Sequence, residues 1–309
     1  MDRIRSVVIV GLGALGTLYA DAFQKAGAFD VYVLADNERA ESYRKSPRIL
    51  NGRPVSFNYV LPEERGIKAD LIMICVKSGG MLQAIEMIEN YVGEETVIIS
   101  LMNGVSCEEE LIKRYGAGHV IYSVFKGDGV QNVGGAIRDL GNNRIYFGEA
   151  GNPCDEEQVR LLKDFCERAG VGFSVEPDML YTFWHKFAII IGLNQVCALL
   201  GSTYSVFHSS PEALDLVRKL VGECIPIAAA AGVREPQRLT DDVVALGLSL
   251  SPDCYPSIAQ DREMKRRMEV DIFAQEVIRR SKALGLEAPY NDMVYALLSC
   301  INRQNGYDR

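Results

Sequence analysis

The side chain with most chemical reach is Lys186, set in the run Phe183-Trp184-His185-Lys186-Phe187-Ala188-Ile189-Ile190-Ile191-Gly192-Leu193-Asn194. A lysine in apolar company either snorkels from a helix flank or is held in a pocket for its proton. Asn194 follows eight residues later, and positions i, i+4 and i+8 share a helix face. Ammonium and carboxamide then point the same way, as a site for a keto acid requires. Asn103-Gly104 follows the apolar run at 96–100, at the end of a strand where ligands collect in open α/β folds. A plain turn explains an Asn-Gly pair as well. Pro256-Ser257-Ile258-Ala259-Gln260-Asp261 precedes an expected helix carrying Met268-Glu269-Val270-Asp271. An acid among those apolar neighbours can pair with a lysine, and equally can be a solvated helix carboxylate.

A second chemistry is written near the N-terminus. Gly11-Leu12-Gly13-Ala14-Leu15-Gly16 fits G-x-G-x-x-G, directly after an apolar run and at the start of a helical stretch. That context turns a common pattern into a dinucleotide cradle. Gly11 permits the tight turn, Gly13 lets a pyrophosphate approach the backbone, and Gly16 allows close helix–strand packing. The helix N-terminus adds free N–H groups and positive dipole. Asp36 follows Gly16 by 20 residues. An acid there bonds a ribose 2′-hydroxyl and repels a 2′-phosphate, which favours NAD. Yet Asp36 belongs to Asp-Asn-Glu-Arg, and Arg39 or Arg44 can wrap a 2′-phosphate with Asp36 turned aside. The residues alone leave NAD and NADP open.

These groups need a scaffold, and the first half supplies alternating apolar and helical segments. Strands are expected at 6–10, 31–35, 70–76, 96–100, 119–124 and 144–149, with helices at 17–26 and 81–91. Continuous apolar strands separated by helices imply a mainly parallel sheet covered on both faces. The glycine-rich stretch 127–143 reads as a loop or short hairpin. After Pro177 the β-rich runs stop, and 178–200, 212–232, 238–248, 262–285 and 290–303 show helical spacing, with Asp178 as a helix N-cap. The fold class is α/β: a Rossmann-type doubly wound parallel sheet over 1–176, then an all-helical domain over 177–309.

Composition narrows the partners. The net charge of −8 argues against nucleic acid, whose phosphates are bound by clustered Lys and Arg. The basic run at 262–267 reads as a solvated helix face unless it guards an anionic cleft. The eight cysteines include no Cys-x-x-Cys pair and read as reduced thiols, with neither a disulfide framework nor a zinc site. The three histidines are dispersed, so no metal site is expected. The stretch 6–20 is glycine-punctuated and lacks a cleavage site. The stretch 187–200 falls short of the roughly 20 residues of a spanning helix. A cytoplasmic protein without membrane segments is expected, with a homodimer possible.

Taken together, these strings resemble the ketopantoate reductase (2-dehydropantoate 2-reductase) family over nearly the whole chain. They are GLGALG, Val76-Lys77, Asn103-Gly104, Trp184-x-Lys186-Phe187, Gly192-x-Asn194-Gln195, Ser257-x-x-Gln260-Asp261, Glu269 and Pro289-x-Asn291. The resemblance implies a Rossmann domain followed by a helical domain like that of 6-phosphogluconate dehydrogenase, with NADP(H) as cofactor. It implies reduction of a small 2-oxo acid, ketopantoate to pantoate, for pantothenate and coenzyme A synthesis. Lys186 would be the general acid, and Lys77 and Asn103 would lie along cofactor and carbonyl. Asn194, Ser257 and Gln260 would hold the substrate, and Glu269 would lie near the nicotinamide or substrate hydroxyl and orient Lys186. Three positions depart from the family pattern: Ile190 for an asparagine, Pro256 for the first of a Thr-Ser pair, and Met268 for a threonine. Each removes a polar contact in or beside the pocket, and so relaxes selection for a substrate hydroxyl. A sibling reductase of a more apolar 2-oxo acid, or a non-catalytic NADP(H) sensor, are the alternative readings.

Overall fold

The structure, a computed structural model, describes residues 3–127, 129–133, 135–148 and 156–307. It divides into two compact units, Met1–Met179 and Leu180–Arg309. In the first unit six parallel strands run in the order Asn58–Val60, Asp30–Leu34, Ser6–Val10, Leu71–Ile74, Val97–Ser100, Val120–Ile121. Successive strand residues face opposite sides, so the apolar runs feed two cores at once. Val7, Ile9, Leu71, Met73, Val97 and Ile99 pack on one face with Tyr19, Phe23 and Phe165. Val8, Val10, Ile72, Ile74 and Ile98 pack on the other with Ala84, Ile85 and Leu111. Those partners belong to the helices Ala14–Ala26 and Glu156–Ala169 on one side, and Met81–Met87 and Cys107–Tyr115 on the other. Burial on both faces is why these strands carry no polar alternation.

Two smaller sheets complete the unit. Ser123–Lys126 pairs antiparallel with Arg144–Gly148, which pairs parallel with Gly172–Glu176. The stretch 127–143 contains the hairpin of Val130–Val133 and Ala136–Asp139, which lies beside Arg48–Leu50; residues 128 and 134 are outside the described residues. The first helix begins at Ala14, three residues before the expected start, because the glycine turn itself opens the helix.

The second unit is helical. Its central helix runs unbroken from Met179 to Leu200 and is long and apolar enough to cross a membrane, contrary to the length read from the sequence. Burial of 72% of its most apolar window inside the protein explains that composition. Around it lie the helices Pro211–Gly222, Cys224–Ala230, Arg238–Ser249, Ser257–Glu263, Ala274–Ala283 and Pro289–Gln304. Gly192 lets them approach, since a Cβ there would stand 2.8 Å from Val221 Cγ2 and 3.0 Å from Val217 Cγ1.

The expected helix over 262–285 does not form. The helix Ser257–Glu263 stops, Lys265 takes a φ of +51°, and a short 3-10 turn at Val270–Ile272 precedes Ala274–Ala283. The Asn302 amide holds this break open. Its Oδ1 accepts from Met268 N–H and its Nδ2 donates to Met268 O, both at 3.0 Å. The basic run is therefore not a single solvated helix face. Arg262 donates to the carbonyls of Ala198 and Leu199, at 2.6 and 2.9 Å, and so closes the central helix, while Arg266 and Arg267 pair with Asp261 and Asp271.

Candidate functional site

The carboxyl edge of the parallel sheet collects the first group of candidates. Asp36, the glycine turn, Lys77 and Asn103 follow four adjacent strands: Asp30–Leu34, Ser6–Val10, Leu71–Ile74 and Val97–Ser100. The chain reverses its direction of winding between Ser6–Val10 and Leu71–Ile74, the switch point at which open α/β sheets bind ligands. Cys75 N–H donates to Val10 O and Leu101 N–H to Ile74 O, at 2.8 and 2.9 Å, so the three loops start level with one another.

Gly11 has a φ of +96°, and a Cβ there would lie 2.7 Å from Val76 Cγ1 and 2.8 Å from the Cys75 carbonyl. A Cβ at Gly16 would overlap the Gly11 carbonyl oxygen. Gly13 is different: its Cβ would meet nothing closer than Cys75 O at 3.9 Å. The fold needs glycine at 11 and 16, whereas at 13 it leaves space above the backbone. Gly13 also caps the helix Ala14–Ala26 with no side chain, and the first turn holds no acid. The N–H groups of Ala14, Leu15 and Gly16 are therefore left by the helix itself for an anion. Leu12 is buried and anchors the turn from below. A dinucleotide pyrophosphate fits this cradle. Burial raises the neighbouring Cys75 thiol to about 12, which removes it as a nucleophile.

Asp36 caps the helix Asn37–Lys45, accepting from Arg39 N–H at 2.8 Å, and its carboxylate lies 3.5 Å from Arg39 Nη1. The acid thus has a structural task, and its charge is partly matched by Arg39. Lys77 and Asn103 are exposed at their loop tips, and Gly104 turns the chain at a φ of +104°.

Beneath the Asn103 loop lies a group that sequence patterns did not reveal. Glu108 is only 2% exposed, in the first turn of Cys107–Tyr115. Burial raises its carboxyl to about 8 against the opposing hydrogen bond from Ser100. Ser100 Oγ also accepts from Met102 N–H at 3.2 Å, which connects the buried acid to the backbone before Asn103. A row of three glutamates at 108–110 reads as a solvated helix start, so nothing in the sequence set this one apart. Lys126 was missed too. Its ammonium sits 4.7 Å from the Tyr146 ring centre, with burial lowering its pKa against the pull of Glu176.

In the second unit, Lys186 is half-buried in Met179–Ile189, and Asn194 is buried one wide turn later. Ile190–Asn194 is a π-turn, marked by Gln195 N–H donating to Ile190 O. In a plain α-helix, residues eight apart miss alignment by about 80°. A wider turn uses more residues per revolution and reduces that offset between positions 186 and 194. Such turns recur at functional sites.

The Asn194 carboxamide has a fixed orientation. Its Oδ1 accepts from the Tyr204 hydroxyl at 3.1 Å, and its Nδ2 makes no hydrogen bond among the described residues. Tyr204 was not read from the sequence; a tyrosine in a Gly-Ser-Thr-Tyr-Ser turn carries no signal of this partner. The helix Ser257–Glu263 packs against both Ile190–Asn194 and Gln195–Leu200. On that helix Ser257 is exposed and Gln260 half-buried. Gln260 Nε2 donates to Tyr255 O at 2.7 Å, so half of its amide serves the loop. Glu269 lies in the broken segment held by Asn302, not on a helix as expected. Ile190 and Met268 are both buried, at 2% and 0% exposure. Pro289-x-Asn291 is structural: the Glu223 carboxylate accepts from the N–H groups of Tyr290 and Asn291 and from Asn291 Nδ2, at 2.7 to 2.9 Å.

A glycine-cradled parallel sheet, with a helical unit carrying lysine and carboxamide, defines a dinucleotide-binding oxidoreductase. Residues 7–152 match the family model described as ketopantoate reductase PanE/ApbA, and residues 178–302 match its C-terminal counterpart. The chain belongs to the ketopantoate reductase family. It is similar to the 2-dehydropantoate 2-reductase of Mycobacterium tuberculosis, with 27% identity over 95% of this chain and 96% of the relative. The 2-dehydropantoate 2-reductase of Streptococcus pyogenes serotype M1 is 25% identical over 94% of this chain and 96% of its own. Among solved structures, the ternary structure of D-mandelate dehydrogenase with NADH and anilino(oxo)acetate shares the fold, with a TM-score of 0.82 and 18% identity. It covers 98% of this chain and 100% of its own.

Proposed function

We propose that this chain reduces the keto group of a small 2-oxo acid, 2-dehydropantoate, using NADPH, as a cytoplasmic step toward pantothenate and coenzyme A. The observation that carries the reading is the Lys186–Asn194 helix. Its π-turn reduces the angular offset between positions 186 and 194, and the Asn194 oxygen accepts from Tyr204, which leaves N–H donors for a carboxylate.

Bound in the glycine cradle, the dinucleotide supplies hydride to the keto carbon. Lys186 then does the work of this chain: its ammonium stabilises negative charge on the carbonyl oxygen and delivers a proton to it. Asn194 Nδ2 and Ser257 Oγ hold the substrate's carboxylate and hydroxyl, with Gln260 contributing its remaining amide oxygen. Glu269 orients the ammonium, and Lys77 and Asn103 line the approach of cofactor and carbonyl. Gly11 to Gly16 hold the pyrophosphate. Arg39 pairs with the 2′-phosphate: its exposed ion pair with Asp36 at 3.5 Å costs at most about 1 kcal/mol to exchange.

The apolar identities of Ile190 and Met268, where the family pattern carries polar residues, motivate a second reading within the same chemistry, a reductase of a more apolar 2-oxo acid. Oxidation of NADPH and of NADH with a panel of 2-oxo acids separates these. Turnover of 2-dehydropantoate above all others supports the first reading. Turnover only of apolar acids supports the second, and cofactor binding with no turnover refutes both. Arg39→Ala should lower kcat/KM for NADPH and leave that for NADH little changed; an equal loss with both would remove Arg39 from 2′-phosphate recognition.

A further inference from the structure

The four-stranded sheet of the first unit runs Val130–Val133, Ala136–Asp139, Arg48–Leu50, Arg53–Val55, and its two faces differ. Leu50, Val55 and Ile137 face inward and share a core with Tyr19 and Phe23 of the helix Ala14–Ala26. Arg53 ties the same face to that helix by pairing with Asp21. Side chains alternate along a strand, so Ala136 and Arg138 point outward. Gln131 stands directly opposite Arg138 in the antiparallel pair and shares its face. Asn51 follows Leu50, the partner of Ile137 in the parallel pair, and so comes beside Arg138. A cleft of about 620 Å³ opens here, lined by Asn51, Gly52, Gln131, Ala136, Ile137 and Arg138. That volume suits a small-molecule site, and none of these residues belongs to the glycine cradle or to the Lys186–Asn194 helix.

The polar groups of the cleft are held in place but not used up. Asn51 and Gly52 form a two-residue hairpin turn with φ of +49° and +80°, the hand that matches the twist of the flanking strands. Asn51 Oδ1 accepts from Asp139 N–H at 2.9 Å, which fixes the amide and leaves its two Nδ2 hydrogens. Neither Nδ2 nor the Gln131 amide makes a side-chain hydrogen bond among the described residues. In the same unit Arg39, Arg53, Arg114, Arg160 and Arg168 each pair with an acid. Arg138 pairs with none among the described residues. The adjacent Asp139 carboxylate is taken up by Gly141 N–H and Asn143 Nδ2, at 2.9 and 2.5 Å.

We propose that this cleft is a second ligand site, which takes a small carboxylate carrying hydroxyl groups. The Arg138 guanidinium offers a fork of N–H donors that matches a carboxylate with two parallel bonds. Asn51 Nδ2 donates to a hydroxyl oxygen, and Gln131 both donates and accepts. The single positive charge selects among anions. A phosphate monoester carries about −1.5 to −2 at neutral pH, which one arginine leaves partly unmatched in a chain of net charge −8. A carboxylate is matched one for one. The proposal is independent of the substrate and cofactor readings.

Amide resonances of the full chain test it, because they show where a ligand binds. D-Gluconate should shift the Asn51 and Gln131 side-chain amides and the Gly52 N–H along one saturable curve. As a 2-hydroxy acid, gluconate also addresses the Lys186 site, and these local signals keep the two apart. D-Glucose, similar in size but uncharged, should leave them in place, and D-glucose 6-phosphate should bind more weakly than gluconate. Arg138→Gln, at an exposed position, should raise the gluconate dissociation constant read from these signals at least about tenfold, with unchanged circular dichroism. Signals unmoved by gluconate, an equal response to glucose, tighter binding of glucose 6-phosphate, or parent-like affinity in Arg138→Gln would each overturn the proposal.

Discussion

The Tyr204 hydroxyl donates to Asn194 Oδ1 at 3.1 Å, fixing which end of a buried carboxamide is left to bind. An amide can flip by exchanging oxygen for nitrogen, and a donor on one side removes that freedom. Tyr204 comes from the turn after the central helix, with its backbone N–H held by Cys254 O at 3.1 Å. Burial raises the Tyr204 phenol above its ordinary range, so it stays a neutral donor.

Tyr204→Phe should therefore leave the fold intact and weaken substrate binding. The loss of one neutral hydrogen bond is worth about 1 kcal/mol, so KM for the 2-oxo acid should rise roughly fivefold, with kcat changed less. Steady-state kinetics at saturating cofactor make the check. An unchanged KM would mean that Asn194 is not a substrate ligand.

The three glycines of the cradle should separate by experiment. Gly16→Ala forces a Cβ into the Gly11 carbonyl, so it should lower the melting temperature and abolish cofactor binding together. Gly13→Ala meets only Cys75 O at 3.9 Å. It should melt like the parent yet bind the dinucleotide at least about tenfold more weakly, because its methyl occupies the space of the pyrophosphate. Titration by cofactor fluorescence alongside thermal melts would show the split. Parent-like affinity in Gly13→Ala would contradict the placement of the phosphates.

Glu108 makes stability depend on pH in a defined direction. Folded, it keeps its proton up to about pH 8, while the ordinary value is 4.5. Between those values the folded state binds more protons, so the contribution of Glu108 to stability falls as pH rises through that window. Glu108→Gln, a neutral isostere, should melt near the parent at pH 5 and above it at pH 9. Parallel melting curves for the two proteins from pH 5 to 9 would show that Glu108 is not held neutral.

Much of this was legible in the sequence, for physical reasons. Strands buried on both faces must be apolar throughout, and Ser6–Val10, Leu71–Ile74 and Val97–Ser100 announce themselves that way. The glycine turn was readable because sterics leave no alternative at Gly11 and Gly16. Other features depend on distant partners. The helix over 262–285 failed because Asn302, 34 residues from Met268, takes up the Met268 backbone groups and breaks the helical periodicity. The π-turn at Ile190–Asn194 has no pattern of its own in an apolar run. Glu108 looks like its neighbours Glu109 and Glu110, and only packing makes it a buried acid. Arg262 reads as one of a basic cluster, and only the fold places it on the carbonyls of Ala198 and Leu199.

The central claim is that the Lys186 ammonium gives the proton, and one comparison tests it most directly. Lys186→Ala should be assayed for turnover of the best 2-oxo acid and, in parallel, for NADPH affinity by fluorescence. Loss of the general acid should cut kcat by at least about a hundredfold, with the cofactor dissociation constant within about threefold of the parent. A kcat within a few-fold of the parent would contradict the claim.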